Sequence, residues 1–263
     1  MKWIFILNWV IKFIKENQLK ITSNEINFKF ARKSITEIPK SMNENIKILV
    51  RSFFVKIPGV WDFFLSIRYF FLKRNAKNAI DSMRKNNAPI NICIGSSGDD
   101  YEGWFPTEQN FLDLLDEKTW INLFGSINSV DGMLAEHVWE HMSLEDGQIA
   151  ARMCFKFIKP GGFLRIAVPD GFTPDPEYIK AVDVGGIGRC ADGHLMLYNH
   201  INFSEVFEQA GFKVNKLEYF DKDGDFVYNP WDIKTGKIKR STAYRGIDKG
   251  VFNSSVILDA IKE

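Results

Sequence analysis

The chain has 263 residues with 45% hydrophobic and 25% charged side chains, enough to bury a full core and ordinary for a globular protein, which excludes disordered and collagen-like classes. Three cysteines without CxxC spacing (Cys93, Cys154, Cys190) exclude a disulfide framework and suit a reducing cytoplasm. The net charge of +1 hides an asymmetry: residues 1–86 carry +11 and the remainder −10. A basic first third on an acidic body suits either an anionic surface or docking of one part on the other.

Residues 1–86 read as a basic, aromatic-rich extension and 87–263 as one domain. The stretch Trp3-Ile4-Phe5-Ile6-Leu7-Asn8-Trp9-Val10-Ile11-Lys12-Phe13-Ile14 is too short and too interrupted to span a bilayer. It is not followed by a small-residue cleavage site, so a secretory signal is not expected. Asn8, Lys12 and Lys15 or Glu16 recur at helical spacing, leaving a broad apolar face. Such a helix over residues 1–20 fits the inner face of an anionic membrane, its own core, or a second copy in a homodimer. Residues 26–32 alternate as a half-exposed strand, and Pro39 with the polar run 41–45 marks a loop. After Pro58-Gly59, the aromatic block from Trp61 to Phe71 suits a helix continuing toward Arg84, broken by Asn86-Asn87-Ala88-Pro89.

From Ile90 short strands and helices alternate, which predicts a mostly parallel sheet covered on both faces. Strands are expected at 90–94, 103–108, 130–136 and 163–168. Ser143-Leu144-Glu145-Asp146 is a helix start, with Ile149, Met153 and Phe157 as its inward stripe. A short helix at 203–209 precedes a final antiparallel pair, 212–220 and 255–261, joined by a long mobile loop over 221–250.

The order of a strand, the turn Gly95-Ser96-Ser97-Gly98, an acid in Trp104-Phe105-Pro106-Thr107-Glu108, the string Ala135-Glu136-His137, and Lys159-Pro160-Gly161-Gly162 before a strand ending in Asp170 resembles class I S-adenosylmethionine-dependent methyltransferases, in particular a subgroup of small bacterial and archaeal predicted methyltransferases. The resemblance covers residues 90 to the end. It implies a Rossmann-like methyltransferase fold with S-adenosyl-L-methionine at the strand carboxyl ends. It further implies Gly95, Ser96, Ser97 and Gly98 against the methionine part and Glu108 on the ribose hydroxyls. Asp113 and Leu114 would meet the adenine, and Ala135, Glu136 and His137 would lie beneath the methionine. The chain departs from the family pattern at Cys93, where an acid is usual, and at Ser97, where a second glycine is usual.

Read from the residues alone, the same positions have plainer roles. Glycine suits a sharp turn anywhere, Glu108 suits a solvated loop, and Asp113 suits a helix cap. For chemistry, His194 is the candidate general base because imidazole titrates near neutrality, with Asp170 beside it as a second catalytic candidate. His194 also suits a purely loop-fixing role. Gly185-Gly186-Ile187-Gly188 suits a closing lid. His137-x-x-Glu140-His141 matches an inverted zinc-peptidase motif, but that chemistry requires a helix through the motif, whereas a strand is expected to run into Glu136 and the next helix to start at Ser143, so no metal ligand set is assigned.

The expected function is O-methylation of a sugar, glycan precursor or other small hydroxyl acceptor by a cytoplasmic enzyme, peripheral to the membrane if the first helix is interfacial. A methyltransferase-fold binding or scaffold protein is the alternative, and a zinc hydrolase the third reading. No nucleic-acid reader motif is present.

Overall fold

The computed structural model describes residues 60–96, 101–188, 190–246 and 255–263. The interfacial helix over 1–20, the strand over 26–32 and the loop that follows lie outside them. The compact unit runs Asp62–Glu263. Its first helix, α1 (Val60–Lys85), buries Ala76, Ala79 and Ile80 in the domain core. Among the described residues no helix is long and apolar enough to cross a membrane.

Seven strands follow: β1 (Asn91–Ile94), β2 (Phe105–Pro106), β3 (Val130–Glu136), β4 (Ile158–Pro169), β5 (Lys213–Phe220), β6 (Phe226–Tyr228) and β7 (Ser255–Ile261). They form one sheet in the order β2-β1-β3-β4-β7-β5-β6. Strands β1 to β4 are parallel. β7 enters antiparallel between β4 and β5, as expected of a final antiparallel strand. This is the Rossmann-like methyltransferase fold. The expected extended segment over 103–108 keeps ladder pairing only at Phe105 and Pro106.

The helices α2 (Glu117–Phe124), α3 (Leu144–Phe157), α4 (Pro176–Val182), α5 (His200–Glu208) and α6 (Thr242–Arg245) complete the unit. Ser143 caps α3 by accepting from the Asp146 amide. The inward face of α3 differs from the expected stripe. Gly147, Ala150, Ala151, Cys154 and Phe157 are buried, while Ile149 and Met153 are half-buried. At Gly147 the packing is close: a Cβ there would stand 3.2 Å from Tyr198 Oη and 3.3 Å from Trp139 Cδ1. Helix α4, not expected from the sequence, starts with Asp175 as cap and Pro176 in its first turn, a signal that was present to be read.

Strand periodicity divides the sheet residues between two faces. Ile92, Met133, Ile166 and Leu258 belong to the core shared with the long helices. Cys93, Leu134, Ala167 and Ile257 face the other way, against Ile238 and Trp231. That second face is covered by the segment 229–246, which the sequence suggested was a mobile loop. Strand charges fasten it. Arg165, 2% exposed, donates from Nε and Nη2 to the two oxygens of Asp259 at 2.7 and 2.8 Å. Its Nη1 donates to the Gly236 carbonyl at 2.6 Å, and its guanidinium lies 4.4 Å from the Trp231 ring. Glu218, fully buried, accepts from the Thr242 amide and hydroxyl, both at 2.7 Å, and from Trp231 Nε1 at 3.0 Å.

Removing the Glu218 carboxylate strands those buried donors, each costing about 1–3 kcal/mol. Glu218→Ala should therefore lower stability by roughly 3 kcal/mol or more in urea unfolding. It should also expose Lys237, Lys239 and Arg240 to trypsin under native conditions. An unchanged midpoint and cleavage pattern would show that the segment is held by something else.

Candidate functional site

The carboxyl ends of β1, β2, β3 and β4 lie at one edge, where open parallel sheets bind ligands. Ile94 pairs with Ala135, so Gly95 and Glu136 leave the sheet side by side. Gly95 has φ +61°, and a Cβ there would stand 2.9 Å from Val138 Cγ2. Both the left-handed backbone and the close approach call for glycine. The Ser96 amide donates to the Thr107 carbonyl at 3.2 Å. Its hydroxyl donates to Glu108 Oε1 at 2.8 Å. The structure thus joins two separately expected pieces, the small-residue turn after β1 and the acid after β2. Ser97 and Gly98 lie outside the described residues.

The other expected cofactor positions are placed as follows. Asp113 Oδ1 accepts from the Leu115 amide at 2.9 Å, a turn-forming contact, whereas the cap of α2 is Asp116. Leu114 is 8% exposed and packs in the core, and Ala135 is fully buried there. Glu136 turns toward the second face. Its Oε2 accepts from Tyr101 Oη and the Lys239 amide, and its Oε1 from the Arg240 amide, all at 2.9 Å. Sequence reasoning did not find these partners, because they come from residues about 35 and 100 positions away in a segment with no motif of its own.

His137 has φ +59°, uncommon for a residue with a Cβ and frequent near functional sites. Its amide donates to the Ala167 carbonyl at 2.8 Å, and Nε2 lies 3.2 Å from Ser255 Oγ. This kink answers the zinc-peptidase motif. Trp139–His141 is one turn of 3-10 helix, so His137 and His141 do not present from one α-helical face as that motif requires. The inverted zinc-peptidase arrangement is absent because β3 runs through Glu136 and the chain then turns sharply.

Asp170 is fully buried. Oδ1 accepts from the Phe172 amide at 2.9 Å and Oδ2 from the Phe220 amide at 2.6 Å. The carboxylate thereby ties the end of β4 to the end of β5. His194, 6% exposed, lies in the 3-10 turn after α4. Its Nδ1 is 2.7 Å from the Val182 carbonyl, and its ring meets His141 edge-on at 4.9 Å. In Gly185-Gly186-Ile187-Gly188 the Gly186 and Gly188 amides bond back to Asp183 and Ala181. Two shallow surface depressions, one at α2 beside Ile121 and one along β5 beside Tyr219, lie away from this edge.

No family model matches the chain, and no curated protein matches it. Solved structures with a similar fold include three methyltransferases. One is a Haloferax volcanii methyltransferase in complex with the Trm112 activator (13% identity, TM-score 0.39, over 71% of this chain and 78% of that one). Another is an S-adenosylmethionine-dependent methyltransferase of Thermotoga maritima (14%, 0.39, 76% and 96%). The third is from Archaeoglobus fulgidus (14%, 0.36, 73% and 97%). None of them assigns a role to a residue of this chain.

Burial raises the Asp170 carboxyl to about 6, only partly opposed by the Phe220 and Phe172 amides. Its pKa is thus higher folded than unfolded, so between about pH 4 and 6 the folded state holds the extra proton. Stability from this group is greatest below that window and falls as pH rises through it, by up to about 3 kcal/mol. The stability difference between wild type and Asp170→Asn should therefore shrink from pH 4 to pH 7 in denaturant titrations. A difference that grows with pH would mean the amides hold the carboxylate charged.

Proposed function

We propose that this chain is an S-adenosylmethionine-dependent methyltransferase that binds its cofactor at the carboxyl edge of β1 and β2. The hydroxyl it methylates belongs to a sugar, a glycan precursor or another small acceptor. The observation that carries the reading is the 2.8 Å bond from Ser96 Oγ to Glu108 Oε1, which sets a carboxylate beside the turn at Gly95. A carboxylate so placed accepts hydrogen bonds from two neighbouring hydroxyls, as a ribose offers, and its charge strengthens both. Gly95 lets the backbone approach a ligand where any side chain would collide with Val138.

When bound, the cofactor supplies an electrophilic methyl group. The protein then has to align an acceptor oxygen with it and dispose of the acceptor proton. Asp170 is poorly suited to the second task, since backbone amides occupy both its oxygens, and we assign it the positioning of the β4 and β5 ends. His194 suits it better. The Val182 carbonyl fixes the proton on Nδ1, leaving Nε2 with a lone pair. The basic residues 1–20 are proposed to bring the enzyme to an anionic membrane surface, where lipid-linked acceptors would be met.

A binding module without turnover is the second reading, favoured by Glu136. Its carboxylate already accepts three hydrogen bonds, from Tyr101, Lys239 and Arg240, which leaves little capacity for a ligand.

Calorimetric titration of S-adenosylmethionine into the wild type and Glu108→Ala tests the cofactor site. We expect saturable binding, weakened in the variant by about 1–3 kcal/mol, the scale for losing a charged hydrogen-bond partner. Equal affinity in the two proteins would remove Glu108 from the site. No binding by folded wild type would remove the enzyme.

A further inference from the structure

We propose that Glu140, His141 and His194 form a binding site for a divalent transition-metal ion beyond the ends of β3 and β4. One ligand atom from each of the three lies within 4.8 Å of the others. Two of the four histidines of the chain therefore converge from separate turns onto one buried carboxylate.

The hydrogen bonds of the rings fix what they present. His141 Nδ1 is 3.0 Å from the Gly193 carbonyl, and His194 Nδ1 is 2.7 Å from the Val182 carbonyl. A carbonyl only accepts, so each Nδ1 carries the proton and each Nε2 holds a lone pair. A backbone carbonyl on the far nitrogen is the usual way a metal-binding histidine is oriented. The two turns are fastened to each other as well: the Leu195 and Met196 amides donate to the Glu140 carbonyl at 2.7 and 3.2 Å. A Cβ on residue 193 would stand 3.2 Å from His141 Nδ1, so glycine permits this approach.

Glu140 is the independent sign of a missing ligand. It is 1% exposed, and neither side-chain oxygen has a hydrogen-bond partner. His137 Nδ1 lies 2.8 Å from Oε1 but without hydrogen-bond geometry, and even as an ion pair it leaves Oε2 unserved. A buried carboxylate without donors is expensive, and a cation between it and the two imidazoles supplies what is lacking. Histidine and carboxylate donors in this number suit zinc, iron(II), cobalt(II) or manganese(II), rather than the all-oxygen sites of calcium. Three protein ligands leave coordination positions open, and exposed His141 puts them within reach of solvent. Resting on the methyltransferase reading, those positions suit an acceptor hydroxyl, whose proton a coordinated cation makes easier to lose to water; with the ion bound, His194 Nε2 is a ligand and this route replaces His194 as the base.

The test is titration of the chelator-treated full-length protein with cobalt(II), followed by visible absorption, with zinc competition by calorimetry and without S-adenosylmethionine. We expect one equivalent per chain. His141→Ala and His194→Ala should each weaken it by at least about tenfold, while His200→Ala, whose ring bonds the Phe220 carbonyl, should bind as wild type. Zinc should raise the melting temperature of wild type but not of His141→Ala, an exposed position where the truncation is tolerated. Failure of folded wild type to bind cobalt(II) or zinc, or undiminished binding in both cluster variants, would overturn the site. Neither result bears on cofactor binding, which is measured separately, so the two proposals stand or fall apart.

Discussion

Charges buried on the second face of the sheet govern the rest of this structure. Buried Arg165 and Glu218 and half-buried Glu136 all project from strands, and a charge removed from water must be met by fixed partners. Each finds its partners in the segment 229–246 or beside it. The sheet is therefore closed on that side by a chain of short elements with little regular structure. Apolar burial accompanies these charges, with Ile238, Leu134, Ala167, Leu217 and Ile257 in one cluster. Hydrogen bonding specifies where the segment lies, and apolar burial seals it.

The same arrangement shapes the candidate site. Glu136 is committed to the covering segment, so at the edge of the sheet the chemistry falls to its neighbours. On one side the turn at Gly95 and the carboxylate of Glu108 are joined through Ser96. On the other, the kink at His137 swings Glu140 and His141 into a short turn, where His194 arrives from beyond β4. The proposed cofactor subsite and the histidine-carboxylate cluster thus lie at the same edge, reached by successive strand ends. That division of labour is what methyl transfer to a hydroxyl asks for, since holding the donor and relieving the acceptor of its proton are separate tasks.

Much of the fold was legible in the sequence because its signals are local. Val130–Glu136 is a strand over its whole expected length, and Ser143 caps a helix as its spacing implied. The final antiparallel pair was legible from two apolar runs. What was not legible depends on distant partners. Nothing local reveals that the polar stretch 229–246 is ordered, because its anchors sit on other strands. In the string Glu136-His137-Val138-Trp139-Glu140-His141 the residues that matter were visible, but their grouping was not. The left-handed turn at His137 directs the first histidine to Ser255 and leaves the second to meet His194, 53 residues further on. Ring direction follows from that turn, and spacing along the chain does not predict it.

Everything proposed of the activity depends on S-adenosylmethionine binding at the carboxyl edge of β1 and β2. Hydrogen–deuterium exchange with and without saturating S-adenosylhomocysteine measures this most directly. Slowed exchange is expected at the amides following β1, around Ser96, and in the turn after Glu108, with the α2 and β6 surfaces unaffected. Protection confined to other surfaces, or none under conditions where the ligand is bound, would contradict it.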